Sequence, residues 1–173
     1  MKVAAYQALL DAISSLEVLG LIREQVDWCE LNEVEILCCP EGVLGGLADY
    51  VSRPAEIAID VASGRLRALL SPLASDRLTT ILGFTEIDGG RLYSSAAVFH
   101  RGAVAGIYRK AHPAIHRSVY WGGDEAPVFT AGGLTFGIII CRDSNFPEPA
   151  RSMAAQGAAA LFVPSNNGLP PAK

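Results

Sequence analysis

The sequence predicts an α/β fold, a layered sheet covered by helices, in a single domain spanning residues 1–173. Three observations carry that expectation. Strand-length apolar runs alternate with helix-period segments in the order strand, helix, strand, helix, several strands, helix, strand. The most apolar runs, 134–141 and 158–163, are strand-length and lack a clean polar face, as in sheets covered on both faces. Hydrophobic residues make up 50% of the chain and charged residues 18%, against a typical ~25% charged. A chain of 173 residues with that composition has a core to bury and is no disordered segment.

Each element has its local reason. Residues 2–7 (KVAAYQ) form a short apolar strand with polar ends. Ser14-x-x-Glu17 is a capping-box pattern. Behind it Leu19, Ile22, Val26 and Cys29 recur every three or four residues, the face of a helix ending near Asn32. Residues 35–39 (EILCC) read as a buried strand stopped by Pro40, and Gly42, Gly45 and Gly46 make the next stretch a loop. Arg65–Leu70 is helical and Pro72 ends it. Residues 79–84 form a β-branched strand, Asp88-Gly89-Gly90 is a turn, and Arg91–His100 returns as a strand. Residues 103–108 add a strand, 111–127 are irregular, and 134–141 are a buried strand. Asn145-x-x-Glu148 is a second capping box, with Pro147 in the first turn and Gly157 closing the helix. Residues 158–163 are the last strand and the tail is a loop.

Composition also excludes function classes. The formal charge is −4 with no basic block, so no nucleic-acid partner is expected. No apolar run reaches the ~18 residues of a membrane span, and the N-terminus lacks the unbroken apolar region of a signal peptide. The four cysteines, Cys29, Cys38, Cys39 and Cys141, contain no C-x-x-C pair. No metal site or disulfide framework is therefore expected, and free thiols suit a reducing cytoplasm. Cys38 and Cys39 are adjacent, so a strand would point them to opposite faces as small core residues. The glycines at 42, 45 and 46 do not form a nucleotide-binding loop.

Three ionisable residues stand where apolar strands stop: Glu41 after EILCCP, Lys110 after AGIYR, and Cys141 at the end of GIIIC. Ligand sites of α/β sheets gather at the carboxyl ends of strands. A carboxylate can take the proton of a thiol, and the thiolate can attack an amide or nitrile carbon. An ammonium and a backbone N–H, here Lys110 and that of Arg142, can stabilise the developing negative charge. The carboxylic acid can then protonate the leaving amine and activate water.

The segments "CCPEG", "YRKAHP" and "CRDSNFPEPAR" resemble the three signature segments of the nitrilase superfamily of carbon–nitrogen hydrolases. The likeness extends to KVAAYQ, GRLYSSAAVFHRGAVAGIYRK and GDEAPVF, in family order. It implies Glu41 as general base, Lys110 as oxyanion-stabilising lysine and Cys141 as nucleophile. It implies an αββα sandwich and a homodimer with the helix after the cysteine at the interface. The implied reaction cleaves a non-peptide carbon–nitrogen bond of a small linear amide or N-carbamoyl compound through a cysteine thioester, with no cofactor. True nitrile hydrolysis, acyl transfer to an amine, and a catalytically silent binding or assembly module are the alternatives. Family chains continue past the strand matching ALFVPSNN, so the sandwich is expected to lack its C-terminal part and the chain to be at best weakly active.

Two departures stand out. Many members carry a second glutamate about two turns after the lysine, where this chain has Arg117 and Ser118; Glu125 fits a different motif. Ser94 replaces a commonly seen Asn. Arg142, Asn166, Tyr120 and Trp121 are the candidate substrate-binding residues. Asp143 and Glu148 read as structural, a loop-ordering acceptor and a helix N-cap partner. A Cys–His dyad through His112 or His116 lacks its surrounding signature.

Overall fold

A computed structural model describes residues 1–8, 15–114 and 116–166 of the chain. Among the described residues, eight strands form two sheets. The first contains β1 (Val3–Ala5), β2 (Ile36–Cys38), β3 (Thr79–Asp88), β4 (Arg91–His100) and β5 (Ala103–Arg109), in that spatial order. β1, β2 and β3 are parallel; β3, β4 and β5 are joined antiparallel by tight turns. The second sheet contains β6 (Val128–Ala131), β7 (Leu134–Ile138) and β8 (Ala160–Phe162), with β7 central. The helices are α1 (Ser15–Leu31), α2 (Pro54–Ile57), α3 (Arg65–Leu70) and α4 (Pro147–Ala155).

The layers follow from period-two alternation on the first sheet. Leu37, Cys39, Leu82, Phe84, Ala97 and Phe99 pack with Leu19, Ile22, Val26 and Cys29 of α1 and with Leu66 and Leu70 of α3. Their neighbours Ile36, Ile81, Ala96 and Val98 point the other way, onto Phe136 and Ile138 of β7 and Phe129 of β6. Between Phe136 and Ile138, Gly137 faces α4, where a Cβ would fall 2.3 Å from Met153 Sδ. The result is helices, sheet, sheet, helix: the αββα sandwich. Both faces of the first sheet are covered, which is why its strands read as apolar runs. Cys38 and Cys39 indeed part to opposite cores. No helix among the described residues is long and apolar enough to cross a membrane.

Several elements differ from expectation. The strand before Cys141 stops at Ile138, and Cys141 opens a 310 turn, Cys141–Asn145. The second capping box does not form. Phe146, not Asn145, is the residue before α4, and no side chain caps it. Pro147 explains this: the residue before a proline is driven out of the helical region, and Phe146 is extended at φ −122, ψ 130. Asn145 is thereby left ending the 310 turn, and Glu148 has no capping role. Pro72 does not end the chain's helical path at once but sits in a 310 turn, Ser71–Leu73. β6, α2 and a 310 turn at Ala48–Tyr50 were not expected. Ser14 of the first capping box lies outside the described residues.

Candidate active site

The site forms where β2, β5 and β7 end. Beyond β2 the chain turns at Pro40 and runs along β3, with Cys39 N–H on Ile81 O (2.9 Å) and Leu44 N–H on Gly83 O (3.0 Å). This close approach needs Gly83. A Cβ there would lie 2.5 Å from Pro40 O and from Gly42 N, and 2.8 Å from Glu41 Cα, all backbone atoms that cannot rotate away. Gly83→Ala is therefore expected to push Glu41 off its position, since overpacking costs typically ~1–3 kcal/mol and a shift of about 1 Å at a reacting group costs about a hundredfold. Thermal melting together with kcat/KM checks it; an unmoved kcat/KM would show that the Glu41 segment tolerates displacement.

Glu41 and Lys110 are both 3% exposed. Lys110 Nζ donates to Glu41 Oε1 at 2.7 Å, and Ser94 Oγ on β4 donates to the same oxygen at 3.1 Å. Lys110 is held through its backbone as well, its N–H on Ser94 O and its carbonyl accepting from Gly123 N–H, both at 2.8 Å. Sequence reading had noted Ser94 only as a departure; it is a second donor to the buried carboxylate. Such a buried pair holds together because the remaining lone pairs find donors.

Cys141 lines one cavity with Glu41 and Lys110, about 240 Å³ in volume, whose other walls are Leu47, Asp49, Tyr50, Ala114, Tyr120 and Asn166. Burial pushes the Cys141 thiol up first, and the Glu41 carboxylate, to which it is hydrogen-bonded, pushes it further. Lys110 and a backbone hydrogen bond from Asn166 pull the other way without cancelling the rise. The sulfur is therefore a thiol at neutral pH and needs a base to become a nucleophile. Cys141 has φ 47, a left-handed conformation rare for a residue with a side chain. Its N–H is tied to Pro164 O at 2.9 Å. A larger cavity of about 470 Å³ lies elsewhere, among Asp60, Glu86, Asp88, Arg109 and Glu125, and contains none of these three residues.

Asp143 ties the site together. It is fully buried, and its Oδ2 accepts from Tyr108 OH (2.8 Å), Ile140 N–H (3.0 Å) and Ala111 N–H (3.4 Å). Its Oδ1 accepts from His112 N–H at 2.8 Å and meets His112 Nδ1 at 3.1 Å. One carboxylate thus binds the segment after Lys110 to the turn that carries Cys141. His112 also stacks on Phe146 at 3.8 Å and does not line the cavity, while His116 is exposed.

The candidate binding residues divide. Asn166 and Tyr120 line the cavity. The Tyr120 hydroxyl is engaged with Thr85 Oγ1 (2.7 Å) and Ala48 N–H (2.6 Å), anchoring the 310 turn against β3. Trp121 does not line the cavity: it is 54% exposed, under the Arg91 guanidinium at 4.3 Å. Its neighbour Tyr120 takes the inward direction, so Trp121 points out. Arg142 is exposed too, and its guanidinium donates to Ala114 O at 2.5 Å, bracing a cavity wall instead of entering it. Asp49 was missed. It reaches the cavity from a segment 69 residues before Ser118, which hydrogen-bonds it, and no local pattern marks it.

The carbon-nitrogen hydrolase family model matches residues 2–172. The chain is 30% identical over 138 residues to an (R)-stereoselective amidase of a Pseudomonas species, covering 79% of this chain and 50% of that protein. It is 37% identical over 94 residues to the N-carbamoylputrescine amidase of Solanum tuberosum, covering 51% of this chain and 31% of that protein. A mutant of a Nesterenkonia AN1 amidase from the nitrilase superfamily superposes with a TM-score of 0.81 at 23% identity, over 95% of this chain and 64% of that one. The matches span 50% of the length of the first of these curated relatives and 31% of the second. With the family match running almost end to end over a sandwich of the same build, the chain belongs to the carbon-nitrogen hydrolase family.

Proposed function

We propose that this chain carries the site of a hydrolase that cleaves a non-peptide carbon–nitrogen bond in a small linear amide or N-carbamoyl compound. The observation that carries the reading is the buried Lys110–Glu41 pair, 2.7 Å apart, facing the same cavity as a protonated Cys141 thiol. Glu41 takes the thiol proton as the sulfur attacks the carbonyl carbon. The C–S bond forms and the carbonyl π electrons move to oxygen, where Lys110 and the backbone N–H of Arg142 stabilise them. As the carbonyl reforms, the C–N bond breaks and the amine leaves with the proton from Glu41. Glu41 then removes a proton from water, which attacks the thioester and returns the thiol. The three side chains supply base, charge stabilisation and nucleophile, so the scheme calls for no cofactor. Ser94 orients Glu41, and Asn166 and Tyr120 shape the pocket for a small ligand. The reading includes a homodimer with α4 at its contact, from the family resemblance, and a cytoplasmic setting, from cysteines without a disulfide pattern.

The test is a panel of amides, carbamoyl amines and nitriles, with quenched mixtures digested and weighed. An acyl adduct on the Cys141 peptide, absent in Cys141→Ala together with turnover, is the expected result. Undiminished hydrolysis in Cys141→Ala overturns the mechanism. Adduct formation without release of acid marks a module that needs further structure, or an amine acceptor in place of water.

A further inference from the structure

The cavity at Cys141 contains a carboxylate that the reaction scheme leaves unused. Asp49 sits in the 310 turn Ala48–Tyr50 and lines the cavity beside Glu41 and Lys110. Ser118 Oγ donates to its two oxygens at 3.0 and 2.9 Å, and the Val119 N–H donates at 2.8 Å. Both donors are neutral. None of the ion pairs among the described residues includes Asp49. Lys110, the cavity's ammonium, is already matched by Glu41. The lining therefore has two carboxylates against one ammonium, a net negative wall.

We propose that Asp49 selects the substrate by charge, so that the site takes amides or N-carbamoyl compounds carrying an ammonium group and turns away those carrying a carboxylate. The inference rests on the hydrolase reading above and adds a substrate class to it. Three features support it. Asp49 is held at fixed positions by donors from a segment distant in sequence, so its charge is already oriented before ligand arrives. Burial pushes the Tyr120 hydroxyl up first, and the Asp49 and Glu41 carboxylates add smaller rises in the same direction. Leu47, Ala114 and Tyr120 give apolar walls suited to a short methylene spacer in a cavity of about 240 Å³. Two neighbouring cations stay outside the lining, where solvent screens them: Arg142 is exposed and turned to Ala114 O, and Arg117, beside Ser118, is exposed too.

Three amides of one shape test this: gamma-aminobutyramide, valeramide and glutaramate, which end in an ammonium, a methyl and a carboxylate. Two readouts are taken on the whole chain: kcat/KM, and protection of Cys141 from iodoacetamide, which needs binding but no turnover. The expected order is cation, neutral, anion, with about tenfold or more between the first two, the scale of a charge-assisted contact. In Asp49→Asn the cation-to-neutral ratio falls toward one, through KM more than kcat. Added salt narrows the ratio in the wild type. Equal ratios in the wild type, or a ratio that survives Asp49→Asn, overturn the proposal. Asn keeps an oxygen for the Val119 N–H; should the variant still not fold, the wild-type ratio and its salt dependence decide. Selective protection without hydrolysis would keep the charge selection and sink the hydrolase reading. Absence of both protection and hydrolysis would sink both.

Discussion

Glu41→Gln is expected to do two opposite things to Cys141: to end amide hydrolysis and to make the sulfur easier to alkylate. Loss of a general base lowers turnover by about a hundredfold to ten-thousandfold. Yet burial first holds the Cys141 thiol above its ordinary value of 9.0, and the same carboxylate, by its charge and its hydrogen bond, adds to that rise while Lys110 acts to lower it. Removing the carboxylate leaves Lys110 unopposed, so the thiol value falls. A thiol whose value falls is more ionised at any fixed pH below it, and each unit is tenfold in thiolate. Iodoacetamide at neutral pH should therefore label Cys141 faster in Glu41→Gln, with its rate levelling off at lower pH than in the wild type. Gln keeps an oxygen for Lys110 Nζ and Ser94 Oγ, so the site stays assembled. Rate measurements across pH by peptide mass spectrometry check this. Slower alkylation in the variant would mean that Glu41 does not set the state of the sulfur.

Asp143→Ala is expected to cost about 3–5 kcal/mol, the scale of breaking one partner out of a buried charged network. The side chain is fully buried and accepts from three backbone N–H groups and from Tyr108 OH. Its removal strands those donors away from water, at about 1–3 kcal/mol each before relaxation. Against a total stability of about 5–15 kcal/mol, that is a large share. The sharper control is Asp143→Asn, which keeps shape but turns one oxygen into a donor. Placed at Oδ1 it faces the His112 N–H; placed at Oδ2 it faces the Ile140 N–H. Neither orientation satisfies both, so Asn should rescue little. Denaturant melts of the two variants beside the wild type check it. A near-wild-type Asp143→Asn would mean that shape, not charge, holds the two segments together.

How far the sequence went can be read from particular elements. β3, β4 and β7 were legible because long apolar runs between glycine turns have one solution in a covered sheet. β6 was not: four residues after Pro127, it exists by pairing with β7, a contact absent from its own composition. The turns at Ala48–Tyr50 and Pro54–Ile57 are not legible in the sequence because they are too short to carry a visible period. Glu41, Lys110 and Cys141 were legible as strand-end residues in recognisable segments, and the fold does bring them to one cavity. Ser94 and Asp49 were not, since each acts through a partner more than fifty residues away. Trp121 was misread because two adjacent aromatics cannot both face inward from one extended segment.

The left-handed backbone at Cys141 has one further consequence. A conformation of this kind costs a side-chain-bearing residue about 1–3 kcal/mol, and the neighbouring Pro164 and Asp143 contacts keep it from relaxing. Glycine would suit the turn better and leave it without a sulfur. On the proposed reaction, thermal robustness and reactivity are rivals at this position, and a search for hardier variants by heat alone would drift toward inert protein.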